Sequence, residues 1–220
     1  MGEIYDSHEQ SERVKSWLAE NGSAILLGLV LAFGSLFGFK QWQLWQQNQH
    51  RQASAEYQVM EELLADDNMD AAVANYETLK ADFEGSAYTA LAALHMARAR
   101  VEAGQTDLAV GLLEYAMHKG NPPPVRAVAR ERLARVKLEL GLADEALALL
   151  DSAPSEQGFE ARFAEIRGDI ARQRQDFESA ANYYAEALEA LEAGTGDRGF
   201  IEIKLEAARL AAAGNQGDAS

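Results

Sequence analysis

The sequence lacks cysteine and has few basic residues, and both shortages restrict what the protein can do. Without thiols the chain has no disulfide, no thiolate nucleophile and no cysteine-based zinc site. Its 220 residues include 20 lysines and arginines against 35 aspartates and glutamates, a formal net charge of −15 at pH 7. After residue 50 the counts are 17 basic and 30 acidic residues. Such a surface repels phosphate backbones, which disfavours nucleic acid as a partner.

Motifs for catalysis or cofactor binding are also missing. The histidines His8, His50, His95 and His118 are not paired with one another or with carboxylates at metal-ligand spacing. The stretch GTGDRG at residues 194–199 matches a dinucleotide fingerprint by letter, but it follows a predicted helix instead of a strand, so we interpret it as a loop. β-branched residues never alternate over a useful length, and no strand is predicted. We therefore expect a non-enzymatic protein without a cofactor or metal.

One long apolar run is present near the start, SAILLGLVLAFGSLFGFKQWQLW at residues 23–45. Its first seventeen residues carry no charge, and ten of them are Leu, Ile, Val or Phe. As a helix they would span about 25 Å, and extension past Lys40, whose amine can reach outward, approaches the roughly 30 Å of a hydrocarbon layer. Trp17, Trp42 and Trp45 frame the run as interfacial anchors. The pattern predicts a transmembrane helix.

A cleaved signal peptide and a buried soluble helix are the alternatives for this run. The preceding 22 residues are more acidic than basic, and no small-x-small cleavage site follows the run, which argues against a signal peptide. A buried helix would need apolar partners on every side. The orientation stays open, because Arg13 and Lys15 before the span balance Lys40 and Arg51 after it.

Small residues inside the span form a candidate helix-packing face. Gly34 and Gly38 are four residues apart, as are Gly28 and Ala32. Such pairs let two helices approach closely in lipid. Glycine is also common in transmembrane helices that have no such partner, so docking on another membrane helix and ordinary composition both remain possible interpretations.

The remainder of the chain is predicted to be a helical repeat. Four segments carry a marker alanine, at Ala72, Ala109, Ala146 and Ala180, spaced by 37, 37 and 34 residues. The residues four places later are Tyr76, Leu113, Leu150 and Tyr184. Each segment follows another predicted helix, and these earlier helices are Ala53–Ala65, Ala90–Ala103, Ala127–Leu140 and Ala161–Gln173. A helix hairpin of about 34 residues is the tetratricopeptide unit.

We therefore predict an all-α protein with a single transmembrane helix followed by a helix-hairpin solenoid. The predicted parts are an N-terminal segment at residues 1–22, the membrane helix with its tryptophans at residues 23–45, a repeat domain at residues 46–213, and a frayed tail at residues 214–220. The repeat domain contains about four repeats, and its last helix, Phe200–Ala213, is expected to cap the stack.

A stack of helix hairpins offers a concave surface formed by the first helix of each pair. The register assigns thirteen residues to this surface as candidates for binding a peptide segment: Tyr57, Glu61, Leu64, Leu91, Leu94, Arg98, Val101, Glu131, Arg135, Leu138, Arg162, Asp169 and Arg172. The surface changes from apolar to charged along the stack. Simple solvation of these side chains is the alternative.

Several features together resemble one known family. They are the acidic opening EIYDSHEQSERVKSWLAENG, the glycine-rich anchor directly after it, the tryptophan-rich exit, and degenerate repeats containing YTALAALHMAR at Tyr88–Arg98. In this combination the chain resembles the YfgM-like family, the ancillary subunit of the SecYEG translocon. The resemblance covers nearly the whole chain, and its most specific part is the opening segment.

The resemblance implies a fold, a location and partners. Members of the family are single-pass proteins of the bacterial inner membrane, with a cytoplasmic N-terminus and periplasmic repeats. They associate with the SecYEG translocon and with a membrane-anchored periplasmic chaperone of the prolyl-isomerase type. The implied role is to pass newly translocated chains, which are possible clients, to periplasmic folding factors.

Two other functions remain open from the sequence. One is regulation through the cytoplasmic segment, because Val14, Trp17 and Leu18 fall on one face of a short helix within it. The other is a general tetratricopeptide scaffold for an inner-membrane complex.

Overall fold

The computed structural model describes the backbone of residues 3–153, 158–191 and 197–217, and the side chains of residues 11–153, 158–191 and 197–214. All regular structure in these ranges is α-helical, which confirms the predicted fold class. The helices are α1 (Glu3–Ala65), α2 (Met69–Asp82), α3 (Ala87–Glu102), α4 (Thr106–Lys119), α5 (Pro123–Glu139), α6 (Ala143–Asp151), α7 (Glu160–Gln173), α8 (Phe177–Ala190) and α9 (Arg198–Gly217). Residues 194–196 of the predicted GTGDRG loop and the last three residues of the predicted tail lie outside the described residues, and Arg198 and Gly199 of that predicted loop already belong to α9.

The chain divides into two units, Met1–Gln52 and Ala53–Ser220. The first unit consists of α1 up to Gln52. Helix α1 is continuous from Glu3 to Ala65, where the sequence suggested separate segments. Its polar stretch after the apolar run contains neither glycine nor proline and is rich in glutamine and alanine, which favour helix.

Helix α1 contains the apolar run, and it is the one described helix that is long and apolar enough to cross a membrane. The most apolar window of eighteen residues has a mean hydropathy of 2.0, and none of it is buried within the protein. Leu26, Phe33 and Phe37 are each more than 60% exposed. The run therefore packs against no other described part of the chain, and an apolar environment outside the protein is needed to cover it.

The second unit contains four helix pairs and a last helix. The pairs are the α1 segment from Ala53 with α2, then α3 with α4, α5 with α6, and α7 with α8. All four marker alanines, Ala72, Ala109, Ala146 and Ala180, are fully buried. Their positions agree with the predicted repeat register, in which small side chains let paired helices approach closely.

Each pair turns through a residue with positive φ, located five residues before its marker alanine. These residues are Asp67, Gly104, Gly141 and Gln175, with φ between 58° and 79°. The amide of the next residue donates to a carbonyl five residues earlier in every pair, for example Leu142 to Lys137 at 2.8 Å. This is a Schellman ending of the first helix, and glycine adopts it with the least strain.

Helix α9 packs on the end of the stack. Its residues Ile201, Leu205 and Ala208 are buried and form a cluster with Ala180 and Tyr184 of α8. The helix extends four residues beyond the predicted end at Ala213.

Candidate functional site

The predicted concave residues fall into three groups in the structure, and Arg172 is exposed outside them. The first group surrounds Tyr57 at the start of the stack, the second lines a groove between α3 and α5, and the third is a charged cluster on α5 and α7. Tyr57, Leu64, Leu91 and Val101 are half-buried against the first core cluster, and Leu138 is half-buried against the cluster around Ala146.

Two of the residues predicted to line the binding surface, Leu94 and Asp169, are buried in the structure. Leu94 is only 4% exposed and belongs to the first core cluster. It is four residues after Ala90 and three before Ala97, so all three share the inward side of α3. Asp169 is 8% exposed, because α9 covers it.

A groove of about 420 Å³ lies between the second and third repeats. Its floor consists of the buried residues Ala97, Leu113 and Val136, and Val101 forms one wall. Its rim is charged and contains Arg98, Glu102, Arg132, Arg135 and Glu139. An apolar floor inside a charged rim suits one or two apolar side chains of a polypeptide.

Two arginines on the rim differ in what they contact. The Arg98 side chain donates from Nε to Glu102 Oε1 at 2.7 Å, and both groups are well exposed. Arg132 is exposed and forms no hydrogen bond or ion pair with the described residues. Arg132 can therefore bind a carboxylate of a partner protein without first breaking an ion pair within its own chain.

The charged end of the concave face is occupied by its own ion pairs. Arg135 contacts Glu131 and Glu165 at 3.2 Å, and Lys204 of α9 contacts Glu165 at 2.6 Å and Asp169 at 2.8 Å. Arg162 completes the network through Glu131 at 3.3 Å. Three cations balance three anions in this network. We infer that this part of the surface is satisfied internally.

Electrostatic effects within the network favour the charged forms of Glu165 and Arg135. Burial alone would raise the pKa of Glu165, but the hydrogen bond from Lys204 and the charges of Arg135 and Lys204 outweigh it and lower that pKa below its ordinary value. Burial likewise opposes the charge of Arg135, while Glu165 and Glu131 together raise its pKa. The Tyr184 hydroxyl donates a hydrogen bond to Asp169 Oδ1 at 2.8 Å, so this carboxylate also has a partner on its buried side.

An aromatic cluster lies at the start of the concave face. The Tyr57 hydroxyl donates to Glu61 at 2.8 Å and lies 3.1 Å from His95 Nε2, while the Tyr88 ring is 5.8 Å from the Tyr57 ring. Burial and the neighbouring Glu61 carboxylate raise the pKa of Tyr57 well above its usual range. His95 therefore contacts a tyrosine on the protein surface, and no group of residues suited to holding a metal is found in the described part of the chain.

Sequence reasoning missed several residues of these sites. Val136 and Leu113 form the groove floor, yet their sequence pattern marks them only as core residues. Glu165 and Lys204 are 39 residues apart, and their contact depends on how α9 docks. Arg132 was the residue that could have been found, since it precedes the buried Leu133 and Ala134 on the exposed side of α5.

The predicted membrane face, Gly28, Ala32, Gly34 and Gly38, is exposed along α1. A Cβ atom added at any of its three glycines would have no neighbour within 4 Å. The face is therefore open to another helix, and its docking role stays a prediction.

The structure defines a class of protein: an apolar helix long enough to span a membrane, followed by a tetratricopeptide-type domain with a peptide-sized groove. The family of tetratricopeptide repeat-like domains matches residues 15–209. Solved structures of the same fold include nearly identical TPR-like repeats from Podosopora anserina, with a TM-score of 0.53 at 18% identity, covering 76% of this chain and 89% of that one. MamA from Desulfovibrio magneticus RS-1 gives a TM-score of 0.51 at 15% identity, covering 73% and 89%.

Curated relatives identify the family more narrowly. The ancillary SecYEG translocon subunit of Aggregatibacter actinomycetemcomitans is 31% identical over 207 residues, which cover 93% of this chain and 98% of the relative. The subunit of the same name from Escherichia coli (strain K12) is 31% identical, covering 81% and 85%. The one from Haemophilus influenzae is 30% identical, covering 84% and 91%. The chain belongs to this family of ancillary SecYEG translocon subunits.

Proposed function

We propose that the chain is a non-enzymatic, single-pass protein of the bacterial inner membrane that docks at SecYEG and binds a second protein in the groove between its second and third repeats. That second protein is a periplasmic chaperone of the prolyl-isomerase type or a secreted chain as it emerges. The observation that carries this proposal is the groove itself, with a buried apolar floor and the unpaired Arg132 on its rim. Membership in the translocon-subunit family supports the docking partner.

The chemistry of the groove favours an amphipathic or extended segment with an apolar side chain and a nearby carboxylate. The apolar group would enter above Leu113 and Val136, and the carboxylate would meet Arg132. The segment should carry few other negative charges, because the domain as a whole is acidic and repels a strongly acidic partner. Affinity would be weak for the groove alone, and the membrane anchor raises the effective concentration near a membrane-bound partner.

Docking at the translocon is proposed to use the membrane helix. Gly34 and Gly38 permit close backbone contact with a neighbouring helix, which is the main source of helix association in lipid. The groove and the span would then act on different partners. Separate substitutions can distinguish them.

We expect two variants of the full-length chain to lose different partners on co-purification from solubilised membranes. Val101→Glu combined with Arg132→Glu should reduce recovery of the periplasmic partner at least tenfold, because tenfold corresponds to about 1.4 kcal/mol and a hot-spot residue in a desolvated pocket contributes about 2 kcal/mol or more. Gly34→Ile combined with Gly38→Ile should reduce recovery of SecYEG while leaving the repeat domain folded.

Lys80→Glu is the control for charge reversal, since Lys80 lies on α2 outside the groove and is 45% exposed. Deletion of residues 2–20 is the control for the N-terminal segment and should leave both partners bound. If the groove variant retains its partner at the level of the parent, the groove is not the binding site. If the deletion alone releases the partners, regulation through the N-terminal segment becomes the better explanation.

The proposed orientation places the N-terminus in the cytoplasm and the repeats in the periplasm. Because the chain has no cysteine, single cysteines can report it without background. In spheroplasts, Ala148→Cys should react with a membrane-impermeant maleimide, and Ser16→Cys should react only after permeabilisation. The reverse labelling pattern would contradict both the orientation and the proposed binding role.

A further inference from the structure

Helix α9 has two apolar sides, and only one of them is covered. Ile201, Leu205 and Ala208 face α8 and are buried. The opposite side exposes Phe200, Ile203 and Leu210, which are 52%, 67% and 67% exposed and are the most exposed large apolar residues of the described repeat domain. With Ala207 between them, these residues form a stripe spaced by three, four and three positions, one side of a helix.

An apolar stripe is unusual on the outer side of a helix that packs on the end of a repeat stack. Terminal helices of repeat proteins normally present a polar outer side, because no further repeat covers them. The other exposed large apolar side chains of the domain, Val59, Leu108, Leu140 and Leu142, are scattered over several helices and are less exposed. Among the described residues of the repeat domain, the outer side of α9 is therefore the apolar surface that is least covered.

The edge of the stripe carries charges of both signs. Glu202, Glu206 and Arg209 are exposed and lie along the same edge of α9, next to Ile203 and Leu210. Glu202 is held by Arg198 at 3.5 Å within the helix, whereas neither Glu206 nor Arg209 forms an ion pair with the described residues. In an antiparallel pair of such helices, the arginine of one edge can pair with the glutamates of the other.

We propose that the outer side of α9 pairs with α9 of a second copy of this chain, in an antiparallel arrangement about a two-fold axis near Glu206 and Ala207. A two-fold axis perpendicular to both helices brings the same edge of each helix together. With the axis at this place, Ile203 lies opposite Leu210 of the second copy. Arg209 then lies between Glu202 and Glu206 of that copy, and the reciprocal contact forms on the other side of the axis.

A second copy fits this surface better than the other possible occupants. An anionic lipid surface would be repelled by a domain with 30 acidic and 17 basic residues after residue 50. The charges along the edge of α9 are complementary to those of a second copy, whereas an unrelated protein would need its own charges arranged to fit them. The proposed pairing uses a surface different from the groove between α3 and α5, so it does not depend on the proposed function.

Disulfide crosslinking in native membranes tests both the pairing and its direction. The full-length chain contains no cysteine, so each introduced thiol reports alone. Under mild oxidation, Ala207→Cys should form a disulfide-linked pair of copies, because this position lies near the axis. Two differently tagged chains carrying Ile203→Cys and Leu210→Cys should form a mixed pair at least fivefold more efficiently than either forms with itself. Ala148→Cys, an exposed position on α6, is the control and should not crosslink.

A mass measurement of the full-length chain in detergent gives the second readout. The parent should have twice the protein mass of one 24.0 kDa chain, and Ile203→Glu combined with Leu210→Glu should reduce it to one chain. Leu108→Glu, an exposed leucine on α4, should leave the pair intact. The proposal is overturned if the parent is a single chain, if the α9 variant remains paired, or if Ile203→Cys crosslinks mainly to itself, which would indicate a parallel contact.

Discussion

Replacing Gly168 with alanine should destabilise the repeat domain by about 3 kcal/mol, at the upper end of the range for overpacking. A Cβ atom at this position would lie 2.5 Å from Cε1 and 2.6 Å from Cδ1 of Tyr184. The Tyr184 ring is fully buried, and its hydroxyl is held by Asp169 at 2.8 Å, so it has no room to move aside. For a domain of this size, such a loss lowers Tm by roughly 6–12 °C.

Thermal unfolding of the full-length chain in detergent, followed by circular dichroism, measures this effect. The tryptophans, Trp17, Trp42 and Trp45, lie in the first unit, so their fluorescence should not change. Gly111→Ala is the matched control, because Gly111 is exposed on α4 and has space for a methyl group. That substitution should raise stability by about 0.5–1 kcal/mol, since alanine favours helix over glycine. Equal Tm values for the two variants would contradict the close approach of α7 and α8.

Replacing Lys204 with methionine should cost about 3 kcal/mol at pH 7. Methionine keeps most of the length of the side chain but removes the cation from the nearly buried carboxylates of Glu165 and Asp169. Breaking a buried ion pair on one side usually costs about 3–5 kcal/mol. We expect the lower end because Arg135 still contacts both carboxylates, at 3.2 Å and 3.8 Å.

The effect of Lys204→Met should depend on pH in a defined direction. The pKa of Glu165 in the folded protein lies below its ordinary value of 4.5, so its contribution to stability is present above pH 4.5 and is lost as the pH falls through the folded-state pKa. Once Glu165 is protonated, it no longer needs the cation that the substitution removes. The difference in Tm between parent and variant should therefore shrink as the pH falls below 4.5.

Lys80→Met is the control for this experiment. Lys80 pairs with Glu77 at 3.7 Å on the protein surface, where both groups are about half exposed. Exposed pairs contribute about 0–1 kcal/mol, so the control should change Tm little at any pH. A Lys204→Met variant that behaves like Lys80→Met would show that α9 does not lock the charged end of the concave face.

The repeat architecture could be predicted from the sequence because its signals are local. A buried alanine such as Ala146 recurs at a fixed distance, with a large apolar residue one helical turn later. Glycine marks the turns at Gly104 and Gly141. Asp67 and Gln175 occupy the same turn position without that signal, because the geometry of the helix pair imposes the left-handed conformation on them.

The binding surface could be predicted only in part because it depends on how helices dock. Arg98, Val101 and Arg135 do line one groove. Leu94 was assigned to the surface, but it is buried in the first core cluster, because the packing of α3 against its neighbours covers it. The ion network could not be predicted from the sequence, since Lys204 on α9 and Glu165 on α7 are 39 residues apart with helix α8 between them. No periodicity along one helix encodes such a contact.

In-cell photocrosslinking tests the proposed binding surface most directly. A photoreactive amino acid would replace Val101 or Arg132 in the groove, and Ala148 on α6 as the control, in full-length chains expressed with a secreted protein stalled in the translocon. Adducts with the stalled chain or a periplasmic chaperone should form at Val101 and Arg132 and be at least fivefold weaker at Ala148. Adducts that are equally strong at Ala148, or absent from both groove positions, would contradict a partner-binding groove between the second and third repeats.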